Sequence, residues 1–283
     1  MTRRQALLCG ACGIAAVAAS RRLVHRPAEG SALLRLTARS REEREGAVQS
    51  IDRTLMWSAS ETAIIICDMW DDHHCMSSVA RLEGMIPWMN RVVRSARALG
   101  VSIVHAPSGT MDFYDGTPQR TRIRSAPHVD APVPIAKWCY LDPESEAPLP
   151  IDDEEPCDDE FPSESRRVWS RQHPDIHIAD EDAISDDGQE IFNFFAQRGI
   201  DNVVLMGVHT NICVLGRPFG IRQQVRLGKN VVLARDLTDA MYDPRDRPFV
   251  SHRQGTELVI QHIEQFWCPS ILGQDLIGAA DLT

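Results

Sequence analysis

Apolar runs of strand length alternate with segments of helical periodicity along most of the chain after residue 61. Short continuous apolar runs are typical of strands buried on both faces, and they predict strands at 63–67, 101–105, 202–206, 231–234 and 270–272. Apolar positions three and four residues apart predict helices at 85–99, 188–198 and 256–266. Because strands and helices alternate, the pattern predicts an α/β domain with a mainly parallel sheet and right-handed crossovers.

Two stretches lack this alternation. Residues 21–60 are rich in Arg, Glu and Ser, and we interpret them as a linker with a short helix near 38–50. Within the domain at 61–283, residues 110–167 are irregular and acidic. So long a stretch in a compact domain is usually functional or disordered, and we expect an insertion over the edge of the active site.

The first 20 residues resemble a twin-arginine export signal. Arg3-Arg4 precedes a run of apolar and small residues from Leu7 to Ala19 that is too short for a stable membrane anchor. We therefore expect a bacterial protein that is exported to the periplasm or beyond the cell. A frayed cytoplasmic terminus, or a lipoprotein acylated at Cys9 or Cys12, is the alternative.

The net charge limits the classes of binding partner, and the cysteine spacing limits the kinds of metal site and disulfide. The formal net charge of −10 argues against nucleic acid, and against a membrane partner once the signal is removed. Six of the eight cysteines follow the signal and show no metal-binding Cys-x-x-Cys pairs. An oxidising compartment could pair Cys139 with Cys157.

Two side chains at predicted strand ends are candidates for catalytic residues. Asp68 follows the run at 63–67, and Cys213 follows the strand that starts at Asn202 after a short turn. Ligands of parallel α/β sheets bind beyond the carboxyl ends of strands, where a carboxylate can activate a thiol nucleophile. A helix N-terminus at Cys213 would favour the thiolate. The alternatives are a helix-capping Asp68 and a core cysteine.

With these residues the chain resembles the isochorismatase-like cysteine hydrolases, which include nicotinamidases and carbamoyl hydrolases. The matching segments are the strand that ends in Asp68-Met69 and the block Gly207-Val208-His209-Thr210-Asn211-Ile212-Cys213-Val214. The resemblance implies a three-layer α/β/α fold and an Asp–Lys–Cys triad. It also implies a cis peptide between Val208 and His209, whose backbone N–H groups would form an oxyanion site with that of Cys213.

The family's lysine is missing from its usual place. That place is 176–182, which contains no lysine, and the chain has only two. Lys229 precedes a strand, at the wrong end of the sheet. Lys137 lies between Asp68 and Cys213 in chain order, and we expect it to be the third triad member. Arg171 is the fallback, acting only as an electrostatic partner.

We therefore expect an exported cysteine hydrolase of a small amide or related C–N substrate, acting through a thioester. The alternatives are an isochorismatase-type vinyl-ether hydrolase and a non-catalytic binding protein on the same fold. The family's Asp-x-His metal pair is absent after the second strand, so no cofactor is expected; a metal held by the ligand-rich run Asp71-Asp72-His73-His74-Cys75 is the alternative. The resemblance also implies a homo-oligomer. The expected substrate-contacting residues are Trp70, His73, His105 and Phe113.

Overall fold

The computed structural model describes residues 31–278 and contains one eight-stranded sheet. Its strands are β1 (Leu33–Arg44), β2 (Ala47–Ser58), β3 (Thr62–Cys67), β4 (Ser102–Ala106), β5 (Ala183–Ile184), β6 (Asn202–Val208), β7 (Asn230–Asp239) and β8 (Ser270–Ile271). The order across the sheet is β2-β1-β8-β7-β6-β3-β4-β5. Strands β3 to β8 pair in parallel, whereas β1 pairs antiparallel with both β2 and β8. The predicted mainly parallel α/β sheet is confirmed.

Helices cover both faces of this sheet. They are α1 (Met76–Ala98), α2 (Pro118–Arg124), α3 (Gly188–Arg198), α4 (Cys213–Gly216), α5 (Ile221–Arg226) and α6 (His252–Phe266). In β3 the side chains of Ile64 and Ile66 pack in a core with α1, whereas Ile65 packs on the opposite face with α3 and α6. This alternation is the two-residue repeat of a strand buried on both faces. The result is the expected three-layer α/β/α arrangement.

The chain changes direction across the sheet between β3 and β6. From β3 the next parallel strand is β4 on one side, and from β6 it is β7 on the other. Such a switch point opens a crevice at the carboxyl ends of the two strands, where α/β proteins bind their ligands. Asp68 follows β3 and the 209–213 turn follows β6, so both predicted catalytic residues lie at this crevice.

The expected linker at 21–60 is wrong for the described residues 33–58. These residues form the hairpin of β1 and β2, whose strands pair without interruption from Leu33↔Ser58 to Arg44↔Ala47. Leu34, Leu36 and Ala38 point into the core, with exposed or partly exposed residues between them. Glu45 and Gly46 form the turn with φ of 54° and 78°, the left-handed pair that tight hairpins require. The alternation was hard to recognise because it covers only the first half of β1, and the second half is polar and charged.

Helix α1 begins earlier than its apolar periodicity predicts. Both carboxylate oxygens of Asp159 accept hydrogen bonds from its first backbone N–H groups, those of Met76 and Ser77, each at 2.8 Å. Free N–H groups at a helix start need such partners. Because this partner comes from a segment distant in sequence, the local pattern could not show where the helix starts.

The region predicted as an insertion is largely irregular, with only α2 and a short 3-10 segment at Met111–Tyr114 within 110–167. Its acidic part contributes to a cavity wall described below. None of the helices between residues 31 and 278 combines the length and apolar character needed to cross a bilayer. The proposed export signal lies outside the described residues.

We predict that Gly207→Ala in β6 strongly destabilises the fold. Gly207 has φ of 107°, and an added Cβ would lie 2.0 Å from the carbonyl oxygen of Cys67 in the neighbouring strand. Backbone strain alone costs about 1–3 kcal/mol, and the clash adds to it. Urea unfolding should show a clear loss of stability.

Gly84→Ala is the matched control for this substitution. Gly84 lies in α1, is exposed, and has no atom near the added Cβ. Alanine should raise stability there by about 0.5–1 kcal/mol. Equal midpoints for the two variants would contradict the close approach of β3 and β6.

Candidate active site

Asp68 is buried at the carboxyl end of β3. It is the first residue after the strand, has a φ of 47°, and shows no exposed surface. Its Oδ1 accepts a hydrogen bond from the backbone N–H of Ser108 at 2.7 Å. Its own N–H donates to the carbonyl of Ala106, the last residue of β4, at 3.1 Å. The carboxylate is thus held by two neighbouring strands rather than by a helix N-terminus, which rules out the capping alternative.

Cys213 lies opposite this carboxylate at the carboxyl end of β6. It is 4 % exposed and opens the four-residue helix α4. The Asp68 carboxylate raises the pKa of the Cys213 thiol, so the two groups lie close enough to interact. The structure therefore brings together the two residues that the sequence placed at adjacent strand ends.

The cation of this site is Arg217, which sequence reasoning did not identify. Its Nε donates to Asp68 Oδ2 at 2.8 Å, and its side chain is only 25 % exposed. The guanidinium also lies over the rings of Trp138 and Trp70, with 5.4 and 6.0 Å from Cζ to the ring centroids. Such cation–π contacts and the ion pair fix the head group in place.

Arg217 follows Cys213 in the chain, whereas the cation was expected before it. It directly follows α4, and its backbone N–H donates to the carbonyl of Cys213 at 3.0 Å. One helical turn thus carries both nucleophile and cation. The spacing of four residues between Cys213 and Arg217 was the available signal, since residues so spaced lie on one side of a helix.

Lys137 is not the cation of this site, and its assignment to the triad is corrected. Its side chain is exposed and makes no hydrogen bond or ion pair within residues 31–278. The fallback, Arg171, lies over the ring of Phe113 instead, with 5.3 Å from Cζ to the centroid. At the family's usual lysine place, Asp182 forms an ion pair with Arg97 and a hydrogen bond with His105.

Burial and mutual contact set the protonation of the site. Burial raises the pKa of the Cys213 thiol, and the nearby Asp68 carboxylate raises it further, whereas Arg217 lowers it. Burial also raises the pKa of Asp68, with Arg217 acting in the opposite direction. The expected thiolate, stabilised by a helix dipole, is therefore not the resting form. The resting site holds a thiol, a carboxylate and a guanidinium, whose charges cancel.

Backbone N–H groups surround the sulfur. The Val208–His209 peptide is cis, and the N–H of His209 points toward Sγ of Cys213. The N–H of Cys213 makes no hydrogen bond within the described part of the chain. The imidazole of His209 instead turns away to the hydroxyl of Ser78, with 2.6 Å between Nε2 and Oγ. Burial lowers the pKa of His209 to about 3, so this ring is neutral.

A cavity of about 790 Å³ opens onto Cys213 and Arg217. Trp70, Trp169 and His73 form one wall as nearly parallel rings, with 4.2 Å between the indole centroids and 5.7 Å from His73 to Trp169. Both indole N–H groups donate to the carbonyl of Ser108, at 3.1 and 3.3 Å. Trp138 lines the cavity too and lies so close to Gly216 that a Cβ there would approach its ring to 2.6 Å.

Two of the expected substrate-contacting residues lie elsewhere. His105 is fully buried and bonded to Gln172 and Asp182, at 3.0 and 2.9 Å. It points into the protein because the alternation along β4 turns its side chain away from the crevice. Phe113 is 53 % exposed and borders a separate depression beside Arg171. Trp70 and His73 do line the cavity, and their contact with substrate stays a prediction.

The remaining cavity wall is acidic. Glu154 and Glu155 of the insertion face Asp243 and Asp246 of the loop that follows β7. Only Arg217 and Arg245 supply positive charge to the lining, and Arg245 is already paired with Asp243 through its Nε at 2.8 Å. The family's Asp-x-His metal pair has no equivalent here, since Pro107-Ser108-Gly109 follows β4 and His105 is buried away from the cavity.

Among known proteins, only solved structures match this chain, and family models and curated sequences do not. No protein-family model matches the chain. No curated protein matches it either. Solved structures do resemble it, at low sequence identity. One is a cysteine hydrolase from Pseudomonas syringae, with 14 % identity and a TM-score of 0.46, covering 78 % of this chain and 92 % of its own.

Two further structures have similar scores. An isochorismatase from Pseudomonas putida is 12 % identical with a TM-score of 0.47, covering 77 % of this chain and 91 % of its own. A pyrazinamidase from Pyrococcus horikoshii, solved in complex with zinc, is 17 % identical with a TM-score of 0.41, covering 75 % and 99 %. At these values the likeness transfers neither activity nor substrate, and the site must be argued from its own geometry.

We predict that Asp68→Asn makes Cys213 more reactive toward iodoacetamide at neutral pH, even though it removes the proposed base. The carboxylate raises the pKa of the thiol and Arg217 lowers it. Removing the negative charge leaves the cation uncompensated, which should lower the thiol pKa by roughly 1–3. Alkylation rates at graded pH, followed by peptide mass mapping, measure this change.

Cys268 is the internal reference in the same digest. It is buried away from the cavity, so its rate should be equal in both proteins. An unchanged or raised pKa of Cys213 in the variant would contradict the electrostatic arrangement described here.

Proposed function

We propose that the protein is a cysteine hydrolase of small amides or related C–N substrates. The observation that carries the proposal is the group of Asp68, Cys213 and Arg217: the first two are buried, and Cys213 and Arg217 line the cavity. Structural cores seldom bury a carboxylate, a thiol and a cation beside an open cavity, whereas a nucleophile with its base requires such a group.

The acylation half begins with proton transfer from Cys213 to Asp68. Sulfur attacks the amide carbon as Asp68 takes the thiol proton. The resulting oxyanion accepts hydrogen bonds from backbone N–H groups, that of Cys213 being free to donate. Asp68 then returns the proton to the departing nitrogen. The C–N bond breaks, the amine leaves and a thioester remains on Cys213.

The deacylation half uses the same base. Asp68 takes a proton from water, whose oxygen attacks the thioester carbon. The second tetrahedral species collapses to the carboxylic acid, and sulfur recovers its proton from Asp68. Every proton transfer passes through Asp68: the thiol proton leaves with the amine and water supplies its replacement, so the net charge of the buried site does not change. Arg217 therefore holds the carboxylate in position and compensates whichever partner is ionised.

The cavity favours neutral, planar substrates. Three parallel rings form one wall, and such rings stack well on flat groups. The acidic side chains around the cavity would repel an anion. This disfavours the vinyl-ether alternative, because isochorismate is a dicarboxylate.

The test is a panel of neutral aromatic and aliphatic amides with ammonia release as the readout. We expect turnover with preference for planar amides, and a mass increase equal to the acyl group on Cys213 after rapid acid quench. Cys213→Ala should lower kcat by at least about 10³-fold, whereas Cys139→Ser, outside the cavity lining, should retain it. Binding of amides with no turnover would instead identify the non-catalytic binding protein.

Substitutions at Arg217 test the role of the cation. Arg217→Lys keeps a positive charge and should retain part of the activity, because only Nε contacts Asp68. Arg217→Gln should lower kcat by about 10²–10³-fold, the usual effect of removing one electrostatic stabiliser. Lys137→Gln is the matched control and should have the wild-type rate. Loss of activity in the Lys137 variant with a normal rate in Arg217→Gln would reverse the assignment.

Export and assembly belong to the same proposal. We expect residues 1–20 to direct export, and the mature protein to act as a homo-oligomer without nucleic acid or membrane partners. Replacing Arg3 and Arg4 together by lysine should leave the protein in the cytoplasmic fraction, since twin-arginine signals depend on this pair. Unchanged fractionation would contradict the signal assignment.

A further inference from the structure

Two cysteines and a carboxylate meet at the edge of the cavity, outside the catalytic group. The sulfurs of Cys75 and Cys157 and a carboxylate oxygen of Asp159 all lie within 4.8 Å of one another. Cys75 directly precedes α1, whereas the other two belong to the acidic insertion. The group thus joins segments about 80 residues apart, which a local turn would not bring together by itself.

These three groups are held in place by the protein. Asp159 accepts the first two N–H groups of α1, and the backbone N–H of Cys75 donates to Nδ1 of His73 at 3.2 Å. Cys75 is fully buried and Cys157 half-buried. Preorganised donors on fixed backbone are what a metal site requires.

No positively charged side chain of the described residues forms an ion pair with the carboxylate of Asp159. Its neighbour Asp158 is bonded to Arg81 at 2.7 and 3.0 Å. Asp159 forms no ion pair within the described residues. A second polar group also lacks a partner, because the buried Nδ1 of His74 makes no hydrogen bond in that same part of the chain. His74 and Cys157 both line the cavity, so this gap is open to a small ligand.

We propose that Cys75, Cys157 and Asp159 bind one divalent cation of the zinc class. Two sulfurs with one carboxylate favour Zn²⁺ over Mg²⁺ or Ca²⁺, which prefer oxygen alone. Both thiols lose their protons on binding, and two protons are released to solvent. Three protein ligands leave a fourth position for water on the cavity side, where that water can hydrogen-bond to His74. The ion ties the insertion to the start of α1 and fixes that part of the cavity wall.

The test is metal binding by the full chain after reduction and chelator treatment. Added Zn²⁺ should remain bound at one ion per chain after gel filtration, with proton release, and Co²⁺ should produce a thiolate charge-transfer band. Cys75→Ser and Cys157→Ser should each abolish the band, whereas Cys139→Ser should keep it. Cys139 is the matched control because its sulfur contacts Gln223 and lies outside the group.

Asp159→Asn guards against misfolding as the explanation, since it removes the charge and one of the two acceptors but keeps the other acceptor for the first N–H groups of α1. We expect this variant to fold and to bind Zn²⁺ at least about 10-fold more weakly. No retained ion, equal stoichiometry in the cysteine variants, or a reduced protein that only forms a Cys75–Cys157 disulfide would each overturn the proposal. None of these readouts depends on amide hydrolysis, so a failure here is distinguishable from failure of the proposed function.

Discussion

The buried ion pair between Arg217 and Asp68 is the interaction on which the site depends. A carboxylate enclosed between two parallel strands would lose much of its hydration free energy without a partner, and it would be protonated instead. The guanidinium keeps it charged, and the charged carboxylate in turn keeps the neighbouring thiol protonated. A site with this balance needs no preformed thiolate, because the nucleophile is generated only when the proton moves.

The architecture explains why the pair can exist. The reversal of chain direction between β3 and β6 leaves a crevice at the carboxyl ends of the strands. The close approach at Gly207 brings these two strand ends together. Trp138 and Trp70 then cover the guanidinium, so its charge is screened from water by rings that themselves interact favourably with a cation.

Local pattern was sufficient for the centre of the fold and insufficient for its edges. The strands at β3, β6 and β7 are continuous apolar runs, and they place Asp68 and Cys213 without further information. The hairpin of β1 and β2 was missed because β1 has only three inward residues, Leu34, Leu36 and Ala38, and the rest of the hairpin is mostly polar or charged. Arg217 was missed for a different reason: its role follows from a contact between the ends of β3 and β6, and the cation was expected among residues that precede Cys213. The proximity of Cys75 to Cys157 and Asp159 of the insertion likewise results from tertiary structure, which a local sequence pattern does not reveal.

The distance along the chain between the paired residues has a consequence for folding. Asp68 and Arg217 are 149 positions apart, and the pairing of β3 with β6 must bridge nearly the same separation. The β1–β2 hairpin needs only local closure, whereas contacts of long sequence separation carry a large loop-closure entropy and form slowly. Until β6 docks, the carboxylate stays hydrated and the thiol is an ordinary cysteine. The group of Asp68, Cys213 and Arg217 is therefore assembled only when β6 pairs with β3, and a chain in which these strands are still apart lacks the complete site.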